Sequence, residues 1–314
     1  MEAESAVETG SRRRPPWLRL GMQLAVGGLA FVMLYRHFAA AAIEHQERAG
    51  TIKVDWSLIA VAAALYAVAW SLQSAPWVLV ARRVPEGTVS TPRLIGVYLA
   101  SHLGKYVPGK AMVLAIRAIL LPRGAYPLRF VILASVYETF STMASGALLG
   151  LVALMAAPSA SQALLMFASF SAVGFGFAIW PTVFAKLTAW WKPGEGGAEA
   201  APPQPLHVRG QAIGVCAWLV MGASFMVVGR AAGLEAESAL AVAAVPLANI
   251  AGFLSMVPGH FLVREWVLVA ALQPLLGSDL AALVLAGLFR VVSLAVEAIG
   301  GAIAYALVLR RPAA

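Results

Sequence analysis

Apolar residues run along this chain in long blocks, not at the two-residue period of a half-buried strand. The blocks Leu20 to Tyr35, Trp56 to Val80, Leu128 to Ala156, Gln162 to Phe184, Gln211 to Gly229 and Leu280 to Leu309 are each bounded by charge, proline or glycine. Several keep about 20 residues nearly free of charge, the length needed to cross the hydrocarbon layer at a rise of about 1.5 Å per residue. No water is available there for peptide groups, so the blocks must be helices. A membrane barrel would need short alternating segments, whereas Ile59 to Val68 is apolar on every side.

Two further apolar regions, Arg93 to Leu121 and Leu240 to Leu276, are interrupted near their centres. The first break reads Gly104-Lys105-Tyr106-Val107-Pro108-Gly109-Lys110, the second Val257-Pro258-Gly259-His260. Proline removes a helical hydrogen bond and glycine frees the backbone, so each break turns the chain. Both regions are expected to be re-entrant hairpins. Non-helical backbone at membrane depth is tolerated only inside protein or along a wet cavity, which makes the turns at Gly104, Pro108, Gly109, Pro258 and Gly259 the leading place for a functional site.

The predicted fold is an all-α integral membrane protein of about six transmembrane helices plus two broken re-entrant helical hairpins. Composition agrees: 61% of residues are hydrophobic and 12% charged, with a mean hydropathy of +0.80, whereas soluble domains are about half apolar and a quarter charged. A formal charge of +8 would raise nucleic acid as a partner in a soluble protein. Here the basic residues cluster at Arg12 to Arg14 with Arg19, at Arg82, Arg83 and Arg93, at Lys186 and Lys192, and at Arg310 and Arg311. They form no stripe interleaved with aromatics, so no nucleic-acid partner is expected. Placed on the cytoplasmic side, these clusters put both termini inside, and the uncharged 157–161 loop and acidic Glu235 and Glu237 outside. The first hairpin then enters from the cytoplasm and the second from outside, in a multi-pass protein of a bacterial-type inner membrane.

Residues 1–19 read as a basic cytoplasmic tail and 20–314 as a single membrane domain, with one half over 55–156, a linking helix over 162–184, a cytoplasmic loop over 185–209 and a second half over 210–310. The first block could instead be a cleaved signal with Ala39 and Ala41 near the cut, but it is at the long end for one.

The halves match in two places. Val-Pro-Gly at 107–109 recurs at 257–259, and about thirty residues later Leu133 to Ser141 aligns with Leu285 to Ser293. One extra crossing between the halves makes the second upside down, the inverted repeat whose broken helices point to a transporter-type site; a scaffold duplicated for packing is the plainer alternative. Glu138 and Arg290 fall at equivalent positions, are costly in a membrane unless paired, and are expected to form an ion pair, gating or structural, with Glu297 sharing the Arg290 guanidinium from the same helix face. Lys105, Lys110 and Arg117 around the first turn, and Arg264 and Glu265 beyond the second, are the candidate substrate-binding residues, suited to a lipid phosphate. The bland reading is that Lys105 and Lys110 snorkel to the headgroup layer.

The remaining candidates carry less. His102 and His260 lack metal-ligand company, so no metal or other cofactor is expected. Cys216 reads as a packed thiol, and Trp56, Trp77, Trp180, Trp190 and Trp191 as an interfacial aromatic belt. No catalytic triad, nucleotide loop or dinucleotide fingerprint is present in suitable context. A membrane enzyme with Glu265 or Glu138 as base would lack a nucleophile or metal beside it.

The two hairpins, GKYVPGKAMVLAIRAILL followed by SVYETF and GFLSMVPGHFLVREWVLVAAL followed by LFRVVSL, resemble the lysylphosphatidylglycerol synthase transmembrane-region family over nearly the whole chain. The most specific parts are Gly104 with Pro108-Gly109, and Pro258-Gly259 with Val263-Arg264-Glu265. Members commonly show PGGLGVRE, where this chain has His260, Phe261 and Leu262 in place of Gly-Leu-Gly; Glu138 is kept while its usual charged companions are replaced by hydroxyl residues. The resemblance implies translocation of an anionic or aminoacylated phospholipid between leaflets. The synthase activity of fused members lies in a separate soluble domain, so no enzymatic activity is expected. Alternatives are a carrier of polyprenyl-phosphate-linked sugars, or a scaffold partnering a lipid-modifying enzyme. Gly300 and Gly301 permit close helix packing, within the chain or in a homodimer.

Overall fold

The computed structural model describes residues 54–83, 89–106, 111–158, 160–189, 208–234 and 238–310. The first apolar block, the 190–207 loop with Trp190 and Trp191, the tip residues Val107 to Lys110, and Glu235 and Glu237 lie outside the described residues. All regular structure described is helical: α1 (Trp56–Leu72), α2 (Ala75–Ala81), α3 (Thr91–Ser101), α4 (Ala111–Leu120), α5 (Leu128–Met155), α6 (Gln162–Ala178), α7 (Pro181–Ala189), α8 (Val208–Ala231), α9 (Ser238–Leu254), α10 (Val263–Leu276) and α11 (Asp279–Arg310), with 3-10 turns at His102–Tyr106 and Pro258–His260.

Among the described residues, four helical stretches are long and apolar enough to cross a membrane: Trp56–Ala81, Leu128–Met155, Arg209–Ala231 and Asp279–Val308. The pair α6 and α7 makes a fifth if its 69° bend lies within one span. These correspond to the predicted blocks other than the first. The linking helix expected over 162–184 is thus bent: Pro181 opens α7 and cannot donate the hydrogen bond that would continue α6.

Helix α1 begins at a side-chain cap. The Asp55 carboxylate accepts the backbone N–H groups of Ser57 at 2.8 Å and Leu58 at 3.3 Å. The Ser57 hydroxyl, then those amides, hold the Asp55 carboxyl below its ordinary range.

In the packing, α1 lies along α8, α5 contacts α6, α8 and α9, and α11 contacts α1, α3 and α10. Polar stitches cross these contacts. Ser224 Oγ donates to the carbonyl of Ala62 at 2.7 Å, and Trp218 Nε1 to that of Thr142 at 2.9 Å. The main core joins Trp77, Tyr98, Phe225 and Phe289; a second cluster fills the space around Met143, Leu154, Leu247 and Ile250. Exposed Phe170, Val173 and Phe177 mark the opposite condition, an apolar outer surface suited to lipid.

Candidate functional site

Each broken region folds as two helical arms in contact across a turn, α3 with α4 and α9 with α10, and the two 3-10 turns touch each other. Gly104 permits the first approach: a Cβ there would stand 2.7 Å from the backbone nitrogen of Val113. In the second turn Gly259 has φ +61°, and a Cβ on it would meet the Tyr106 and Phe261 rings at 2.9 Å. Tyr106 of the first turn thus faces Gly259 and Phe261 of the second. Met256, His260 and Leu262 also have positive φ, at 59°, 59° and 71°. His260 and Leu262 are the two positions where the family pattern expects glycine. At these two positions the turn keeps a glycine-type backbone without glycine, a strain of about 1 kcal/mol or more per residue.

Beside the turns lie seven charged side chains. Arg117 on α4 is fully buried and bonds Glu138 of α5 at 3.1 Å. It also donates to Ser135 Oγ at 2.8 Å and Ser101 Oγ at 3.3 Å, with its guanidinium 4.5 Å from the Trp77 ring and 5.1 Å from that of Tyr98. The Tyr98 hydroxyl reaches the other Glu138 oxygen at 3.4 Å. Glu297 on α11 receives Lys105 Nζ at 2.6 Å, the Tyr66 hydroxyl at 2.5 Å and the Tyr106 hydroxyl. Glu265 accepts the backbone N–H of Leu262 at 2.8 Å, closing the first turn of α10, and its other oxygen lies 3.7 Å from Arg290 Nε, an ion pair too long for a hydrogen bond. Arg290 donates to the Gly259 carbonyl at 2.8 Å and lies over the Phe261 ring.

Two expectations are therefore corrected. Glu138 does not pair with Arg290; each is paired within its own half, across the second hairpin arm and the long helix that follows. The arm residue is already alongside that helix, so it reaches the charge before the other half can. Glu297 does not share Arg290 either: two turns further along α11 it lies at the first turn, where Lys105 meets it. That contact also replaces the snorkelling alternative for Lys105.

Arg264 is 3% exposed and has no carboxylate partner among the described residues. Its Nη1 approaches Ser293 Oγ at 3.5 Å, its guanidinium lies 4.9 Å from the Phe289 ring, and Nε and Nη2 have no hydrogen-bond partner.

A cavity of about 590 Å³ opens beside the two turns. Its wall carries the charges Lys105, Arg117, Glu138 and Glu297, the amides Gln73 and Asn249, and the rings of Trp70 and Trp218. Gly259, His102 and His260 also line it, whereas Arg264, Glu265 and Arg290 stand outside that wall. Of the sequence candidates, then, Lys105, Arg117, Glu138, Glu297, Gly259 and the backbone turn at Pro258 come together, with Gly104 beneath the first turn. Pro108, Gly109 and Lys110 lie outside the described residues.

Sequence reasoning missed Tyr66, Tyr98 and Tyr106, which supply hydroxyls to the two cavity carboxylates, and misassigned Trp77. That ring is fully buried under Arg117 and does not belong to an interfacial belt, whereas Trp56 and Trp180 are exposed. Isolated polar side chains in apolar runs, such as Tyr66, Gln73 and Asn249, were the available signal. Cys216 is exposed on α8 and not packed.

The family described as Lysylphosphatidylglycerol synthase TM region matches residues 20–301. No curated protein and no solved structure matches the chain.

Proposed function

The chain belongs to the lysylphosphatidylglycerol synthase transmembrane-region family, and from that premise we propose that this multi-pass membrane protein translocates an anionic or aminoacylated phospholipid between leaflets. The headgroup enters the cavity between two opposed re-entrant hairpins of an inverted repeat, and the acyl chains stay in the bilayer. The observation that carries the reading is the cavity itself. A wall with two ion pairs, amides and aromatic rings lies between broken helices, where a phosphate can exchange with a carboxylate for a cation.

The reversed polarity of the pairs supports the repeat. In the first half the arginine is on the hairpin arm and the acid on the long helix, Arg117 with Glu138. In the second the acid is on the arm and the arginine on the long helix, Glu265 with Arg290. Both termini are cytoplasmic in this reading, in a bacterial-type inner membrane, and no covalent chemistry is assigned. A carrier of polyprenyl-phosphate-linked sugars is the second reading, favoured by Trp70, Trp218, Gln73 and Asn249 on the wall, since rings and amides suit a sugar.

The test is transfer of fluorescent phosphatidylglycerol and of a neutral lipid in proteoliposomes, comparing wild type with Glu138→Gln and Arg264→Ala. Transfer faster than in empty liposomes and lost in both variants is the expected result. No transfer of any lipid, with or without an ion gradient, removes the translocator and leaves the sugar carrier or a non-transporting scaffold.

A further inference from the structure

The seven charges described beside the turns do not balance. Among the described residues, Lys105, Arg117, Arg264 and Arg290 face Glu138, Glu265 and Glu297, so four cations stand against three carboxylates and one positive charge is in excess. The excess resides on Arg264, which is buried with two nitrogens unpartnered. Leaving a charge so placed is expensive, and the expense is relieved only by a counter-charge that arrives.

The position of Arg264 shows where that counter-charge acts. Its contact, Ser293, lies four residues before Glu297 on α11, one helical turn along the same face. Phe289 packs edge-on against Tyr66, whose hydroxyl holds Glu297, while Arg264 lies over the same Phe289 ring. It thus stands one ring removed from the Tyr66 that holds Glu297 and off the cavity wall, while Lys105 is on the wall and 26% exposed.

We propose that the site selects a phosphodiester monoanion, with Lys105 leaving Glu297 for the ligand phosphate and Arg264 serving from behind the wall as the reserve counter-charge of Glu297. This rests on the reading of the cavity as a headgroup site and chooses, within it, the anionic headgroup over the aminoacylated one. A monoanion brings the cluster to neutrality. A zwitterion leaves the excess charge of Arg264 in place, and a cationic headgroup adds to it. Arg264 is a positioning residue that touches Glu297 in the bound state and the ligand in neither.

The test is equilibrium binding of short-chain phosphatidylglycerol and short-chain phosphatidylethanolamine to the full chain in detergent, with glycerophosphoglycerol as the deacylated control. Wild type is expected to prefer phosphatidylglycerol by about tenfold or more, and Arg264→Lys to keep that preference. Arg264→Gln removes the excess charge and should bring the two lipids within about twofold. Arg264→Gln with Glu297→Gln again leaves one positive charge over, and the preference returns. Equal binding of both lipids by wild type, or no return in the double variant, overturns the proposal. If Arg264→Gln does not fold, Glu297→Gln alone, with two charges over, should shift preference towards dianionic phosphatidic acid; an unchanged order overturns it equally. Binding of glycerophosphoglycerol as tight as that of the lipid overturns the lipid as source of the phosphodiester. Selective binding without transfer in proteoliposomes sinks the translocator and leaves this inference standing; transfer without selectivity does the reverse.

Discussion

Arg117 and Glu138 meet at 3.1 Å with both side chains buried, one on a hairpin arm and the other on the long helix that follows it. Neither can be removed alone without leaving a charge in a poorly solvated interior. Glu138→Gln and Arg117→Met should each lower stability on the scale of about 3–5 kcal/mol typical for breaking a buried pair, and the double variant should recover part of that loss. Thermal unfolding in detergent over the four proteins of the cycle measures the coupling; strict additivity would show that the pair does not act as one.

The arms of the first hairpin close on Gly104. Gly104→Ala puts a methyl group 2.7 Å from backbone nitrogen and 2.9 Å from a carbonyl carbon, atoms that cannot rotate away. A loss of about 1–3 kcal/mol is expected. Gly174→Ala is the control: nothing lies within 4 Å of a Cβ there, and alanine in a helix should raise stability slightly. Equal behaviour of the two variants in the same unfolding assay would refute a tight turn.

Leu262 holds φ +71° at the head of α10. Leu262→Gly relieves strain while adding freedom to the unfolded chain, so the two effects should nearly cancel. Leu262→Val, β-branched at a left-handed position, should be the less stable of the two by about 1 kcal/mol or more. The order of their unfolding temperatures decides it.

Tyr66 on α1 gives its hydroxyl hydrogen to Glu297 across the contact between α1 and α11. Tyr66→Phe deletes one donor to a buried carboxylate and should cost about 1–3 kcal/mol. With Glu297→Gln already in place the same change should cost less, because a neutral amide depends less on the lost donor. A double-mutant cycle on unfolding provides the comparison.

What could be read from the sequence divides by physical range. The long apolar blocks and the Pro258-Gly259 break are set by neighbours along the chain, so Leu128–Met155 or the turn at Pro258–His260 needs no tertiary knowledge. The importance of Arg117, Glu138 and Glu297 was legible as well, since a charge within an apolar block needs a reason. Their partners were not. Whether Glu138 meets Arg290 or Arg117 depends on how α5 is rotated and which arm lies beside it, and the pattern of an all-round apolar helix carries no information about rotation. Trp77 failed for the same reason: its place near a block end suggested the interface, while packing turned the ring inward beneath Arg117.

Both hairpin turns are fastened to one helix. Lys105 of the first turn holds Glu297, and the Gly259 carbonyl of the second holds Arg290, seven residues or about 10 Å earlier along α11. A shift of α11 along its axis, or a rotation about it, is therefore delivered to both turns at once. On this geometry α11 is the common shaft to which both turns are keyed, so neither turn can be displaced along it without straining the other's contact.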